Sequence, residues 1–261
     1  MKERLDKLMV ERGLVDSRAR AQALILAGKV LVGEQRIDKP GQAVDRDSEI
    51  RIKDEPLKYV SRGGLKMEAA LAEFHIDPTG KNCIDIGAST GGFTDCLLQR
   101  GAAQVWAIDV GHNQMAWRIR QDDRVVVIEG QNARYLEADQ FPAKFDLATI
   151  DVSFISLSKI FPAVARVLNE EGDCIALIKP QFEVGLGEVG KKGVVKDAAK
   201  HRRVLREIKR SAAEVGLKAM DVIASPIMGA EGNREFLIHL RLTEGEENEQ
   251  IDELMEMLTP V

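Results

Sequence analysis

Five short apolar runs constrain the fold of this 261-residue chain more than any other feature. They lie roughly 20 to 25 residues apart, helix-forming stretches separate them, and they cover residues 83–86, 105–108, 125–128, 147–150 and 174–178. Short continuous apolar runs predict strands buried on both faces, which is typical of parallel sheets built from β-α-β units. Two later runs, at 220–223 and 236–240, are expected to add an antiparallel edge. The pattern predicts an α/β domain.

The first 53 residues follow a different pattern. Helical spacing of apolar residues predicts a helix that begins at Leu5 and ends near Gly13, and Ser17 is suited to cap a second helix. The short segments 30–32, 35–37 and 50–52 alternate as strands do, and the first two are close enough to form a hairpin. These signals predict a small α+β domain over residues 1–53, with a linker over 54–60.

The net charge of −5 is distributed unevenly. Residues 1–53 hold 12 basic and 9 acidic side chains, whereas the last 19 residues hold seven acidic side chains and none that is basic. We expect residues 244–261 to form an acidic tail with a terminal helix that is solvated, with docking of this helix on the domain left open. No apolar run approaches the roughly 18 residues of a membrane span, and the N-terminus does not read as a signal peptide. These features predict a cytoplasmic protein with no membrane partner.

The N-terminal domain carries three motifs of one known module. Arg4-Leu5-Asp6, the stretch Ser-Arg-Ala-Arg-Ala at 17–21 and the stretch Gly-Lys-Val-Leu-Val-Gly at 28–33 resemble the S-four-type (αL) RNA-binding domain. Basic side chains in such a domain contact phosphates, which positions RNA without reading its sequence. The resemblance implies an RNA-binding role for Arg4, Arg18, Arg20 and Lys29, and we add Arg62 from the start of the second domain. A solvated amphipathic helix is the alternative.

A glycine-rich turn follows the first strand of the larger domain, where residues 85–93 read Asp-Ile-Gly-Ala-Ser-Thr-Gly-Gly-Phe. Such a turn lets a ligand approach backbone N–H groups at the start of a helix. The spacing is not G-x-G-x-x-G, which disfavours a dinucleotide. Asp109 ends the second strand and is suited to bind ribose hydroxyls. Asp85 either holds a ligand ammonium or supports the loop.

This combination resembles the Rossmann-like methyltransferases that use S-adenosylmethionine. The resemblance places the methionine end of the cofactor near the glycine loop, the ribose at Asp109 and the adenine edge near Asn132. The cofactor-binding residues that it implies are Asp85, Gly87, Ser89, Gly91, Gly92, Phe93, Asp109 and Asn132. A nicotinamide site and a turn without a ligand are the alternatives.

Four charged residues define the expected acceptor site. Asp151 and Lys179 end the fourth and fifth strands, Lys66 lies in an early helix, and Glu235 begins a late strand. Together they resemble the Lys-Asp-Lys-Glu set of FtsJ-like ribose 2′-O-methyltransferases. A ribose hydroxyl is a weak acid, and a lysine accepts its proton only if burial or a nearby ammonium lowers the lysine pKa. Our hypothesis makes Lys179 the base, with Lys66 beside it and both carboxylates orienting the pair.

The acceptor is expected to be a hydroxyl. Residues 151–154 read Asp-Val-Ser-Phe, which differs from the Asp/Asn-Pro-Pro-aromatic motif of amine methyltransferases, and none of the three cysteines lies nearby to attack a cytosine ring.

Over nearly the whole chain the motifs resemble the TlyA family of ribosomal RNA 2′-O-methyltransferases, also called haemolysin A. The resemblance implies an FtsJ-like catalytic domain over 61–243 that methylates cytidine ribose, with ribosomal RNA or ribosomal subunits as the partner and no obligate protein partner. The alternatives are a non-catalytic assembly factor and a membrane-damaging haemolysin.

Overall fold

The chain forms two structural units, Met1–Leu57 and Lys58–Val261. The computed structural model describes residues 2–15, 17–53, 58–185, 187–190 and 193–260. Of the predicted linker, residues 54–57 lie outside this description. Tyr59 belongs to the core of the second unit, where it is 2% exposed and packs closely against Gly64. The apolar ring of Tyr59 explains why this part of the predicted linker is buried.

Both predicted helices of the N-terminal unit are present, and the Ser17 hydroxyl caps the second by accepting a hydrogen bond from the Arg20 N–H at 3.3 Å. The elements are β1 (Lys2–Arg4), α1 (Leu5–Glu11), α2 (Arg18–Leu26), β2 (Val30–Val32), β3 (Gln35–Ile37), β4 (Ala43–Asp45) and β5 (Ile50–Ile52). β2 pairs antiparallel with β3 and β5, and β1 pairs antiparallel with β4. Strands β1 and β4 were not predicted from the sequence, because neither three-residue stretch has an apolar run.

The second unit is built on one seven-stranded sheet with helices between its strands. Its strands are β6 (Asn82–Ile86), β7 (Gln104–Asp109), β8 (Val125–Glu129), β9 (Phe145–Ile150), β10 (Leu168–Ile178), β11 (Leu217–Ala224) and β12 (Phe236–Leu242). Its helices are α3 (Gly63–Glu73), α4 (Gly92–Gln99), α5 (Trp117–Arg120), α6 (Phe161–Val167), α7 (Pro180–Glu183), α8 (Ala198–Ala213) and α9 (Ile251–Leu258). All five apolar runs are strands, which confirms the α/β prediction.

The strand order is β11-β12-β10-β9-β6-β7-β8. Strands β6 to β10 pair in parallel, whereas β12 runs antiparallel to both of its neighbours. The antiparallel strand therefore lies second from the edge, and β11 forms the edge itself. Successive strands are added to one side of β6 and then to the other, so the chain reverses direction across the sheet between β6 and β9. In open α/β sheets such a switch point, at the carboxyl ends of the strands, is where ligands bind.

The acidic C-terminal segment contains a docked helix. Ile251 and Met255 of α9 are 1% and 0% exposed and belong to the core of the sheet. The two residues are four positions apart and share one helix face, so this face is buried while the acidic residues stay outside. The terminal helix is therefore docked through one face and solvated on the other.

A buried charge cluster at the amino end of the sheet joins three elements. Asp173 on β10 accepts a hydrogen bond from His239 at 2.9 Å and contacts Arg241 and Lys81, both at 3.2 Å. Burial by itself raises the pKa of Asp173, but the hydrogen bond from His239 and the charges of His239, Lys81 and Arg241 outweigh it and lower the pKa to about 2. The lowered pKa means that ionised Asp173 stabilises the folded state.

Asp173→Asn is expected to lower the free energy of unfolding at neutral pH by about 3 kcal/mol, because it removes the carboxylate shared by three donors. The contribution of Asp173 is fully present above its ordinary pKa of 3.8 and is lost as the pH falls toward 2. Urea unfolding, measured from neutral pH down to pH 2, should therefore show that the difference in free energy of unfolding between the variant and the wild-type protein becomes smaller as the pH falls. Asp123→Asn, at an exposed carboxyl, is the control. A difference that stayed constant to pH 2 would contradict this account.

Candidate active site

A cleft of about 430 Å³ opens at the switch point, which is the size range of small-molecule sites. It is lined by Ile86, Gly87, Ser89, Ile108, Asp109, Val110, Gln114, Gln131, Asn132, Ala133, Asp151, Val152, Ser153, Phe154, Ile155 and Ile160. Most of these residues follow β6, β7, β8 and β9, so strand ends build the cleft. Of the predicted cofactor residues, Gly87, Ser89, Asp109 and Asn132 line it.

Two glycines of the loop after β6 are required by its geometry. Gly87 has φ +85°, and a Cβ there would lie 2.4 Å from the carbonyl oxygen of Asp151. Gly91 has φ +90° where α4 begins. Side chains at these positions would be strained, and at Gly87 a side chain would also push the β6 loop away from β9. The absence of a side chain at Gly87 therefore allows the loop after β6 to lie directly against the end of β9 in the wall of the cleft.

Asp109 connects the loops on two sides of the cleft. Its carboxylate accepts hydrogen bonds from the N–H groups of Ser89 and Gly111, both at 2.7 Å. The Ser89 hydroxyl in turn contacts the Gln114 side chain at 3.1 Å. A carboxylate with two oxygens has lone pairs left for further donors, such as sugar hydroxyls.

Asp85 is not part of the cleft lining. It is fully buried, and it accepts hydrogen bonds from the Thr94 N–H at 3.0 Å, the Thr94 hydroxyl at 2.6 Å and the Thr149 hydroxyl at 2.9 Å. Burial raises the pKa of Asp85 to about 6 although these hydrogen bonds act in the opposite direction. These hydrogen bonds tie the end of β6 to α4 and β9.

The last three residues of the glycine motif are also set back from the cleft lining. Gly91 and Gly92 start α4, and Phe93 is 3% exposed in the core beside it. Gly92 lies so close to the Ser61 hydroxyl that a Cβ would approach it to 2.1 Å. These residues position the loop.

Two amide side chains of the cleft, Gln114 and Gln131, were not predicted from the sequence. Both lie in loops after β7 and β8, where no motif marks them. Asn132 was predicted, and its side chain accepts a hydrogen bond from the Arg134 N–H at 3.1 Å.

The four predicted acceptor-site residues form two ion pairs. Lys66 Nζ lies 2.5 Å from Glu235 Oε2, and both residues are buried. Lys179 Nζ lies 2.5 Å from Asp151 Oδ1 and donates a hydrogen bond to the Ser153 hydroxyl at 2.9 Å. Each lysine therefore has its own carboxylate, whereas sequence analysis had both carboxylates orienting one lysine pair.

The strand register relates the two ion pairs to each other. Ile178 of β10 pairs with Phe236 of β12, so the next positions outward are Lys179 and Glu235. Asp151 belongs to both the ion pair and the cofactor cleft. The charged set thus lies at the carboxyl ends of β9 and β10 and at the adjacent start of β12.

An exposed aromatic side chain stands at the rim of the cleft. Phe154 is 90% exposed, has φ +62° and contacts Phe182 with ring centroids 4.9 Å apart. Lys179 Nζ lies 6.0 Å from the centroid of the Phe182 ring. Exposure of so large an apolar ring on a strained backbone is typical of a contact surface for a ligand.

The predicted RNA-binding residues of the N-terminal unit differ in their contacts. Arg4 and Arg18 bind the buried Asp6 carboxylate at 3.0 and 2.9 Å. The hydrogen bond from Arg4, which outweighs burial, and those from Gln22 and Arg18 hold the pKa of Asp6 well below its ordinary value. Arg4 and Arg18 therefore stabilise the domain.

Arg20 and Lys29 are exposed on the same unit. Exposed cationic side chains are suited to contact an RNA backbone. In the second unit, Arg62 donates a hydrogen bond to the Met228 carbonyl at 3.0 Å.

Two family models match the chain, the FtsJ-like methyltransferase over residues 59–242 and the S4 domain over residues 3–50. Over the described residues, no helix is both long and apolar enough to cross a bilayer.

Relatives match over nearly the full length. The 16S/23S rRNA (cytidine-2′-O)-methyltransferase TlyA of Mycobacterium tuberculosis is 44% identical over 239 residues, which is 91% of this chain and 89% of that protein. Hemolysin A of Brachyspira hyodysenteriae is 42% identical, over 90% of this chain and 98% of that protein.

A solved structure from Streptococcus thermophilus, whose name classes it with the hemolysins, has 44% identity and a TM-score of 0.77, covering 98% of this chain and 95% of that one. The chain therefore belongs to the TlyA family, with an S4 domain followed by an FtsJ-like methyltransferase domain.

Proposed function

We propose that this protein transfers a methyl group from S-adenosylmethionine to the ribose 2′-hydroxyl of a cytidine in ribosomal RNA. The observation that carries the proposal is the Lys179–Asp151 ion pair, which joins a basic side chain to the wall of the cleft. Two relatives named as rRNA (cytidine-2′-O)-methyltransferases, from Mycobacterium tuberculosis and Campylobacter jejuni, support the substrate.

The cleft suits S-adenosylmethionine in its size and in its polar groups. Asp109 offers carboxylate oxygens where a ribose would lie, and apolar side chains such as Ile108, Val110 and Ile160 offer contacts for an adenine ring. Gly87 keeps the loop after β6 free of a side chain, so that a ligand can approach its backbone. When bound, the cofactor supplies an electrophilic methyl group on a sulfonium.

The acceptor chemistry needs one proton removed and one oxygen aligned. In our proposal Lys179 acts as the neutral amine, after its ammonium group has released a proton to solvent. Its Nζ then accepts the proton of the 2′-hydroxyl, the 2′-oxygen forms the new C–O bond while the C–S bond of the donor breaks, and the electron pair of that bond stays on sulfur. Asp151 and Ser153 orient Lys179 through contacts of 2.5 and 2.9 Å. The buried Lys66–Glu235 pair fixes the adjacent wall.

Phe154 is suited to hold the nucleotide whose ribose reacts. A base turned out of its RNA stack gains stacking energy on an exposed aromatic ring, and such stacking tolerates any base. The position of Phe154, three residues after Asp151, places this ring at the rim of the cleft.

Methyl transfer to RNA tests the proposed function directly. Tritiated S-adenosylmethionine is incubated with the protein and with ribosomal RNA or ribosomal subunits that lack the modification, and labelled nucleosides are then identified. We expect the label on the 2′-oxygen of a cytidine. Label on a base would refute a ribose acceptor, and no transfer to any ribosomal substrate would refute the enzyme assignment.

The N-terminal unit is expected to supply salt-sensitive affinity for RNA. Arg20→Ala should weaken binding to ribosomal RNA and reduce the slope of log affinity against log salt by about one, since one phosphate contact is lost. Binding measured at several salt concentrations gives both quantities.

Arg18→Ala is the matched comparison for Arg20→Ala. Its main effect should be a lower melting temperature, because the buried Asp6 carboxylate loses a donor. If Arg20→Ala left both affinity and salt slope unchanged, Arg20 would have no part in RNA binding.

A further inference from the structure

The outer face of α8 carries positive charge that the candidate active site does not use. The helix holds six basic residues and one acidic residue among its 16 positions. On the inner face of the helix, Val204, Leu205 and Ile208 are buried. The basic side chains are therefore confined to the solvent side, where Arg203, Arg206 and Arg210 are exposed. We call these three residues the arginine row.

The arginine row follows one face of the helix. Its members are three and four positions apart, so they are neighbours on the helix surface and span about 10 Å along its axis at 1.5 Å per residue. They border an open groove of about 460 Å³, which Ala199, Arg202 and Glu207 also line. Three guanidinium groups along one groove form a track for a chain of anionic groups.

The arginine row lies near the loops of the candidate active site. Arg210 also lines a second cavity, of about 240 Å³, together with Ser156, Ser158 and Glu183. The two serines follow Asp151 in the loop after β9, and Glu183 ends α7, which begins directly after Lys179. One end of the row is therefore close to the loops that carry the proposed catalytic side chains.

Two of the three arginines form ion pairs with carboxylates, and these pairs contribute little to stability. Arg206 contacts Glu256 of α9 at 2.7 Å, with both side chains about half exposed. Arg203 contacts Glu188 and Glu207. Exposed ion pairs of this kind contribute little to stability, so a phosphate can replace the carboxylate at small cost. The acidic helix α9 thus holds a position that an RNA backbone would take.

We propose that the arginine row binds phosphates of the substrate RNA beside the acceptor nucleotide, in competition with Glu256 of α9. The inference rests on the proposed function, because that function supplies RNA as the substrate. Guanidinium groups bind phosphate through paired hydrogen bonds, and several such contacts add affinity that falls with salt. The arginine row therefore extends the RNA-binding surface along α8. The contact between Glu256 of α9 and Arg206 lowers the affinity of that surface for RNA.

Binding to ribosomal RNA from cells that lack this enzyme tests the inference, with salt varied from about 0.05 to 0.3 M. The double variant Arg206→Ala/Arg210→Ala is expected to bind about tenfold more weakly at low salt, with a salt slope smaller by about one to two. Replacement of both arginines by lysine should retain most of the slope. Glu256→Gln should strengthen binding about two- to fivefold, because the competing charge is gone.

Lys144→Ala is the control, since Lys144 is exposed ahead of β9, at the opposite end of the strand from Asp151. Equal melting temperatures would show that the variants are folded.

If the wild-type protein transfers methyl groups but the double alanine variant keeps wild-type affinity and slope, the inference is wrong while the proposed function stands. Loss of activity on intact subunits with unchanged binding to naked RNA would assign the row to a ribosomal protein and also overturn the inference. If the wild-type protein transfers no methyl group, the proposed function itself fails.

Discussion

Lys179→Ala is expected to lower the rate of methyl transfer to ribosomal RNA by about a thousandfold, the usual contribution of a positioned acid-base group. The variant removes the Nζ atom that contacts Asp151 and Ser153, so the 2′-hydroxyl loses its proposed proton acceptor. S-adenosylmethionine affinity should change by less than about threefold, because Lys179 is not part of the cleft lining. Single-turnover transfer and calorimetric titration measure the two effects separately.

Lys159→Ala is the matched control for this variant, because Lys159 is an exposed lysine in the loop after the same strand β9. It should transfer methyl groups at the wild-type rate. A Lys179→Ala enzyme with a rate within tenfold of the wild type would remove Lys179 as the base. Equal losses of cofactor binding and of transfer would instead make Lys179 a structural residue.

Asp109→Ala is expected to weaken S-adenosylmethionine binding about a hundredfold, because a charged acceptor for two sugar hydroxyls is lost. The same carboxylate also holds the backbone of Ser89 and Gly111, so part of the loss would come from the loops. Calorimetry with S-adenosylhomocysteine and with its 2′-deoxy analogue separates the two causes.

In the wild-type protein the 2′-deoxy analogue should bind more weakly than S-adenosylhomocysteine. In Asp109→Ala the two ligands should bind equally, since the residue that distinguishes them is absent. Asp139→Ala, at an exposed carboxylate outside the cleft lining, should keep the wild-type preference. If Asp109→Ala kept it too, the assignment of Asp109 to the ribose would be wrong.

The sheet was predictable because most of its parallel strands are largely buried. Each of the five parallel strands therefore contains a short apolar run, such as Cys174–Ile178 within β10. The weak pairing of β1 with β4 leaves no such trace, since only Val44 of its inner residues is buried. Similarly, the position of β12 between β10 and β11 depends on long-range pairing that neighbouring residues do not encode.

The contact partners of a side chain could be predicted from the sequence only where a known motif includes both residues. The sequence identifies Arg4 and Arg18 as cations, but only the fold brings both to Asp6, which lies under α2 with no exposed surface. In the same way, Asp85 could serve a ligand or a loop until the structure placed Thr94 and Thr149 around it. A buried carboxylate takes whichever donors surround it, and these come from elements distant in sequence.

By itself the sequence determined most of the element types and the two-part organisation, and it indicated the glycine loop and the four charged residues of the expected acceptor site, because periodicity and motif spacing are local properties. Only the tertiary structure decided which lysine pairs with which carboxylate, that α9 packs on the sheet with its acidic side facing α8, and which arginines stay exposed. These outcomes follow from burial and from contacts between residues far apart in the chain. The energy of a charged side chain depends on such contacts more than on its neighbours in sequence.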